Sequence, residues 1–186
     1  MRQFCTALAL SLVTLAASTA LAGAQQRVGT DTGLPLPRFV SLKSGQVNMR
    51  VGPGRDYKVT WQFTRAGTPV EIIAEFDNWR RIRDDEGVEG WVYGALLTGR
   101  RTGVVAPWLR QASDPSSDQF PTVILRAKPE TGARRVAKLE AGVIGGLSEC
   151  DGKWCRMTPD AANGETSGWV RQLDVWGVYP DETFAD

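Results

Sequence analysis

Apolar and polar residues alternate along most of this 186-residue chain, and they do so in short runs. Val47, Met49 and Val51 are separated by Asn48 and Arg50, and Val59, Trp61 and Phe63 by Thr60 and Gln62. Val70, Ile72, Ala74 and Phe76 form a longer set of the same kind. A period of two places the apolar members on one face of an extended strand. Turn-forming clusters punctuate the runs at Gly52-Pro53-Gly54, Asp77-Asn78 and Asp84-Asp85-Glu86-Gly87. Clean helical stripes of apolar residues are missing. The pattern predicts an all-β protein of short strands.

The pattern also occurs twice. Val47-Asn48-Met49-Arg50-Val51-Gly52-Pro53 returns as Val123-Ile124-Leu125-Arg126-Ala127-Lys128-Pro129. Arg65-Ala66-Gly67-Thr68-Pro69-Val70 is echoed by Leu139-Glu140-Ala141-Gly142-Val143-Ile144. Asn78-Trp79-Arg80-Arg81-Ile82 matches Lys153-Trp154-Cys155-Arg156-Met157, and Gly90-Trp91-Val92 matches Gly168-Trp169-Val170. Four matches in the same order define two units of roughly sixty residues, a length at which one hydrophobic core is only marginally stable. Five or so strands in that length avoid open edges by curling into a small barrel.

Flanking segments complete the organisation. Arg2, the largely apolar run Phe4–Ala17 and the small-x-small sequence Ala20-Leu21-Ala22 read as a signal peptide over 1–24. The apolar run falls short of the roughly 20 residues a membrane-spanning helix needs. Residues 25–37 are polar and lack periodicity, so they read as a flexible leader. The first barrel is assigned to 38–99 and the second to 100–178, with an inserted loop near 111–121 and a C-terminal tail over 179–186.

Loss of the leader takes away Arg2 and Cys5 and leaves 21 basic and 21 acidic residues. A neutral chain lacks the phosphate-neutralising surface that nucleic acid binding requires. Of the two remaining cysteines, Cys150 and Cys155 flank an Asp151-Gly152 turn, so a tight hairpin sets them opposite one another. In an oxidising compartment this arrangement predicts a structural disulfide.

The strings Val-Asn-Met-Arg-Val-Gly-Pro-Gly (47–54), Asn-Trp-Arg-Arg-Ile (78–82) and Glu-Gly-Trp-Val (89–92) resemble the bacterial SH3 (SH3b) domain family. The second unit is similar but more degenerate, with Lys128 and Glu130 in place of Gly52 and Gly54. Cys-Asp-Gly-Lys-Trp-Cys-Arg (150–156), Gly-Trp-Val-Arg-Gln (168–172) and Trp-Gly-Val-Tyr-Pro (176–180) resemble a group of exported tandem-SH3b proteins of Gram-negative bacteria. The resemblance implies a fold and a binding role, and it supplies no catalytic residues.

Candidate chemistry is sparse. The chain contains no histidine, which removes Ser-His-Asp and Cys-His nucleophilic systems and ordinary zinc sites. The carboxylates of Asp84, Asp85 and Glu86 cluster in a hydrophilic turn, where little raises a pKa. No metal, cofactor or catalytic residue is expected. On general SH3 topology, Trp79, Tyr93 and Leu96, with Tyr57 on the opposite loop, would line a binding groove suited to sugars, glycine-rich peptides or prolines. Trp79 and Tyr93 are equally candidates for partly buried packing residues. Trp91 and Trp169 are assigned to the cores, and Trp108 and Trp176 to the space between the barrels. The leading reading is a non-enzymatic periplasmic or secreted protein that binds peptidoglycan peptide or glycan and is not membrane-embedded. The alternatives are an adaptor for an extended segment of an envelope protein and, last, a cell-wall hydrolase.

Overall fold

The structure, a computed structural model, describes residues 27–111, 121–160 and 166–185. The expected signal peptide and the middle of the expected inserted loop lie outside these residues. A short hairpin, β1 (Arg27–Val28) and β2 (Pro35–Leu36), precedes the first barrel. That barrel comprises β3 (Arg38–Leu42), β4 (Val47–Arg50), β5 (Val59–Phe63), β6 (Pro69–Phe76), β7 (Trp79–Arg83), β8 (Glu89–Tyr93) and β9 (Leu97–Thr98). The second is built from β10 (Thr102–Val105), the short helix α1 (Pro107–Gln111), β11 (Thr122–Arg126), β12 (Arg135–Glu140), β13 (Ile144–Asp151), β14 (Trp154–Pro159), β15 (Gly168–Arg171), β16 (Val175–Trp176) and β17 (Thr183–Ala185).

The two sheets share one plan. Strand order is β5-β4-β8-β7-β6-β3-β9 in the first and β12-β11-β15-β14-β13-β10-β16 in the second, so every position has its counterpart. Register shifts recur at equivalent places: Met49/Arg50 and Leu125/Arg126, then Ile72/Ala74 and Leu147/Glu149. Alternation fills the cores as a strand period demands. Val47, Met49, Val70, Ile72, Ile82 and Val92 close the first, and Val123, Leu125, Leu139, Leu147, Met157 and Val170 the second. Gly90 and Gly168 occupy equivalent points where strands crowd together. A Cβ on Gly90 would strike the Met49 side chain, and one on Gly168 would strike the Arg126 carbonyl and the Leu125 side chain.

Several expectations change here. Trp91 and Trp169 are half-buried rather than in the core. Their neighbours Gly90 and Val92, or Gly168 and Val170, take the inward positions, and alternation turns the tryptophans outward. In the ladders Trp91 lies opposite Arg50 and Arg81, and Trp169 opposite Arg126 and Arg156. The run 70–76 does not hold one face, because the bulge after Ile72 inverts parity and leaves Phe76 exposed. Val59 and Trp61 are also exposed, since β5 ends its sheet.

Nor do residues 27–37 trail as a flexible leader. The β1–β2 hairpin is fastened by Glu75, whose carboxylate is fully shielded and accepts from Arg38 Nη2 (2.7 Å), Thr32 Oγ1 (2.7 Å), and the backbone N–H groups of Thr32 (3.0 Å) and Asp31 (3.1 Å). The C-terminal segment is likewise no loose tail. β17 pairs with β13, placing Phe184 opposite Cys150. The buried Gln172 amide donates to the carbonyls of Tyr179 (2.6 Å) and Glu182 (2.9 Å), and Arg101 holds the Glu182 carboxylate through both oxygens (2.6 and 3.0 Å). Cys150 and Cys155 are opposite one another across the hairpin, Cα atoms 4.1 Å apart, and form a buried disulfide.

The barrels are joined by more than the chain. Phe39 of β3 meets Trp176 edge-on (5.1 Å, 84°) and Tyr179 at a tilt (4.8 Å). Beside them Ser41 Oγ and Thr102 Oγ1 lie 2.5 Å apart, and Thr102 Oγ1 donates to the Gly67 carbonyl at 2.7 Å. Both hydroxyl residues are almost wholly buried.

Candidate functional site

Local structure of the first barrel builds a groove of about 490 Å³ between β4, β7, β8 and the 3-10 turn Gly94–Leu96. Asp77, in the left-handed region (φ 49°), reverses the chain so that Trp79 opens β7 directly across from Tyr93 at the end of β8. Their rings meet edge-on, centroids 5.6 Å apart. Trp79 is buried and Tyr93 half-buried, so together they form an aromatic wall fixed by its own packing, with Tyr93 its more open member. Leu96 and Ala95 close one side, and Gln46, Asn48, Arg50 and Arg55 supply polar groups. Arg50 Nη1 donates to the carbonyls of Arg55 (2.9 Å) and Tyr57 (2.6 Å), which folds the 51–58 loop toward the groove.

Of the four residues expected to converge, Trp79, Tyr93 and Leu96 line this groove together, and Tyr57 does not. Tyr57 packs its ring over Gly52, where a Cβ would collide with it, and over Gly54, and remains half exposed. Gln46, Asn48, Arg50, Arg55 and Ala95 line the groove without having been expected there, and Arg50 among them had a signal in the sequence. The repeated Met-Arg/Leu-Arg pair at 49–50 and 125–126 was the available signal.

In the second barrel the equivalent depression measures about 280 Å³ and includes Ile124, Arg126, Trp154, Arg171 and Asp174. Trp154 stands where Trp79 stands, but its ladder partner is Arg171 rather than a tyrosine.

Residues 43–99 and 119–177 each match the bacterial SH3 domain. The chain belongs to the bacterial SH3 domain family. Its two SH3 units differ at the groove as well as in the disulfide, α1 and β17 that only the second carries. In the second, Leu109 of α1 enters the lining, and Arg171 is tied to Asp174 by two bonds of 2.8 and 2.9 Å.

Similar solved structures include NlpC1 from Trichomonas vaginalis (TM-score 0.32, 11% identity, 80% of this chain and 48% of that one). An NlpC/P60 family protein from Bacillus cereus ATCC 10987 (0.30, 13%, 74% and 55%) and NlpC2 from T. vaginalis (0.29, 10%, 75% and 48%) are also similar. This chain spans about half the length of those proteins. No curated protein matches it.

Between the SH3 units lies a second, larger cleft of about 530 Å³, where Phe39 and Glu71 face Trp176 and Tyr179. Sequence reasoning did not reach it, because it depends on contacts between residues more than a hundred positions apart. The Glu71 carboxylate, almost wholly buried, accepts from Arg83 Nε (2.9 Å) and the Tyr179 hydroxyl (2.9 Å). Burial first, and Glu71 second, raise the Tyr179 pKa well above the usual phenol range, so this hydroxyl remains a donor. Among the described residues no group of three or more metal-ligating side chains is placed to hold an ion, and no helix is long and apolar enough to cross a membrane.

Proposed function

We propose that this chain is an exported, non-catalytic protein of the cell envelope whose first SH3 unit recognises peptidoglycan through its stem peptide or glycan. The observation that carries the reading is the Trp79–Tyr93 wall with Arg50 and Arg55 on the same groove, whose lining includes no carboxylate. Flat rings suit the faces of sugars and small peptide units, and guanidinium groups suit their carboxylates and hydroxyls. Export is supported by the leader pattern of residues 1–24 and by the Cys150–Cys155 disulfide. The absence of histidine from the chain supports a binding role over nucleophilic hydrolysis.

Sedimentation with purified sacculi tests the proposal. The protein should pellet, and Tyr93→Ala should weaken pelleting about fivefold, the loss expected for an aromatic contact of about 1 kcal/mol. A protein that stays in the supernatant, or a Tyr93→Ala variant that folds and pellets like the parent, would refute it.

A further inference from the structure

We infer that the junction between the SH3 units is a second recognition site, one that takes an extended peptide carrying a basic residue between apolar ones. The Asp84–Gly87 turn stands at the centre of this junction. Asp84, itself buried, accepts from the backbone N–H groups of Glu86 (3.1 Å) and Val88 (2.8 Å), and Gly87 adopts positive φ (+82°). These bonds fix the turn in one conformation, with Glu86 exposed. Rigidity of this kind lowers the cost of binding, since little remains to be ordered.

This turn stands between two clefts. On one side is the inter-barrel cleft already described, about 530 Å³, with the exposed Trp108 and Leu173 at its rim. On the other is a cleft of about 510 Å³ that reaches the exposed Trp61 and also Phe63. Asp84, Asp85 and Glu86 line both, so the two clefts meet at the turn. Each is of the size that holds a small ligand, and joined they make a track longer than a single small molecule fills. Exposed tryptophans at both ends of a track mark an interaction surface rather than scattered surface apolarity.

Charge selects the occupant. The inter-barrel cleft is lined by four carboxylates, Glu71, Asp84, Asp85 and Glu86, against the single guanidinium of Arg83. All four lie on the first unit's wall, whereas the facing wall is largely apolar, built from Leu173, Val175, Trp176, Val178 and Pro180, with Gln172 and the Tyr179 hydroxyl as its polar groups. An extended peptide presents alternate side chains to opposite sides. One chain can thus set a lysine or arginine against Asp85 and Glu86 while its neighbours pack on Trp176, Trp108 and Trp61. Arg65 lines the second cleft, yet the four carboxylates still outnumber Arg65 and Arg83, so the track is acidic where the Trp79–Tyr93 groove is basic, the two sites take different ligands, and the inference does not depend on the proposed peptidoglycan contact.

The test is panning of a random dodecapeptide phage library on the purified protein, followed by fluorescence polarisation with the enriched peptides made synthetically. Enrichment of Lys or Arg flanked by apolar residues is expected. Glu86→Lys and Trp108→Ala, each shown by circular dichroism to be folded, should each raise Kd tenfold or more, and Tyr93→Ala should leave it unchanged. Absence of basic enrichment, indifference to Glu86→Lys, or loss of binding in Tyr93→Ala instead would overturn the inference. Sacculus pelleting, which depends on Tyr93, is read separately, so either site can fail alone.

Discussion

Glu75 offers the sharpest perturbation of the fold. Its carboxylate is fully shielded and takes four hydrogen bonds, two on each oxygen: Arg38 and the Thr32 hydroxyl on Oε1, and the Asp31 and Thr32 N–H groups on Oε2. Glu75→Gln keeps the volume but turns one oxygen into a donor. Whichever way the amide is flipped, it faces donors on one side, and two bonds are lost. Bonds to a charged acceptor contribute about 1.5–3 kcal/mol each, of which the remaining oxygen and water recover part, so a loss of about 3 kcal/mol in hairpin docking is expected. That loss is local, because Asp31 and Thr32 belong to the β1–β2 hairpin and the barrel core does not include them. Hydrogen exchange should show protection of the hairpin amides falling about a hundredfold while β6 and β7 are unaffected. Acid should copy the mutation. Burial pulls the Glu75 pKa upward, but bonds from Arg38, Thr32 and Asp31 outweigh it and lower the value from 4.5 to about 2. A carboxyl depressed in the folded state contributes stability above its unfolded pKa and loses it as pH falls toward the folded one. Docking should therefore be constant above about pH 4.5 and weaken progressively between there and about pH 2. Unchanged hairpin protection in Glu75→Gln, or hairpin release already complete at pH 6, would refute the reasoning.

Two further outcomes follow from buried polar and covalent contacts. Thr102→Val removes the hydroxyl between Ser41 Oγ and the Gly67 carbonyl and should cost about 2 kcal/mol in denaturant unfolding, whereas adding Ser41→Ala should cost less than the sum of the single changes; strict additivity would show that the pair is not coupled. The Cys150–Cys155 bridge closes a very short loop, so the double Cys→Ala variant should lose only about 2 kcal/mol and remain folded, and non-reduced parent protein should resist thiol alkylation at both cysteines by intact mass.

How much of this was legible in the chain depends on the range of the contact. Val47 and Met49, or Val123 and Leu125, announce their burial by local alternation, and the repeat exposes the duplication without any three-dimensional information. Cys150 and Cys155 were readable because a turn residue pair sits between them. Parity then fails wherever a bulge intervenes. After Ile72 the extra residue reverses the face, so Phe76 goes outward and Glu75 turns to the hairpin. Trp91 was misassigned for a related reason: its bulk suggested core, but the close approach of Gly90 to Met49 gives Gly90 and Val92 the inner positions. Within the groove, Trp79, Tyr93 and Leu96 were accessible through resemblance, whereas Tyr57 was lost to packing on Gly52, which no pattern signals. Contacts such as Phe39 with Trp176 join distant parts of the chain and have no local signature at all.

Duplication by itself would give two equal grooves, and the departures from equality fall at particular residues. Where the first unit has Tyr93 opposite Trp79, the second has Arg171 opposite Trp154, and Asp174 takes two of its donors. A guanidinium already bonded in this way has fewer groups to offer an incoming partner. Leu109 adds an apolar side chain from α1, packs partly on the second core, and narrows the depression to about 280 Å³ against about 490 Å³ in the first unit. The same unit invests heavily in support instead: a buried disulfide, the Gln172 amide that ties down residues 179–182, and Trp176 and Tyr179 against Phe39. Tyr179 completes that support only while its hydroxyl stays protonated, which burial and Glu71 ensure. The second unit thus acts on the first through a fixed interface, and the acidic turn of the first is set against the apolar wall of the second at a distance that neither unit alone could define.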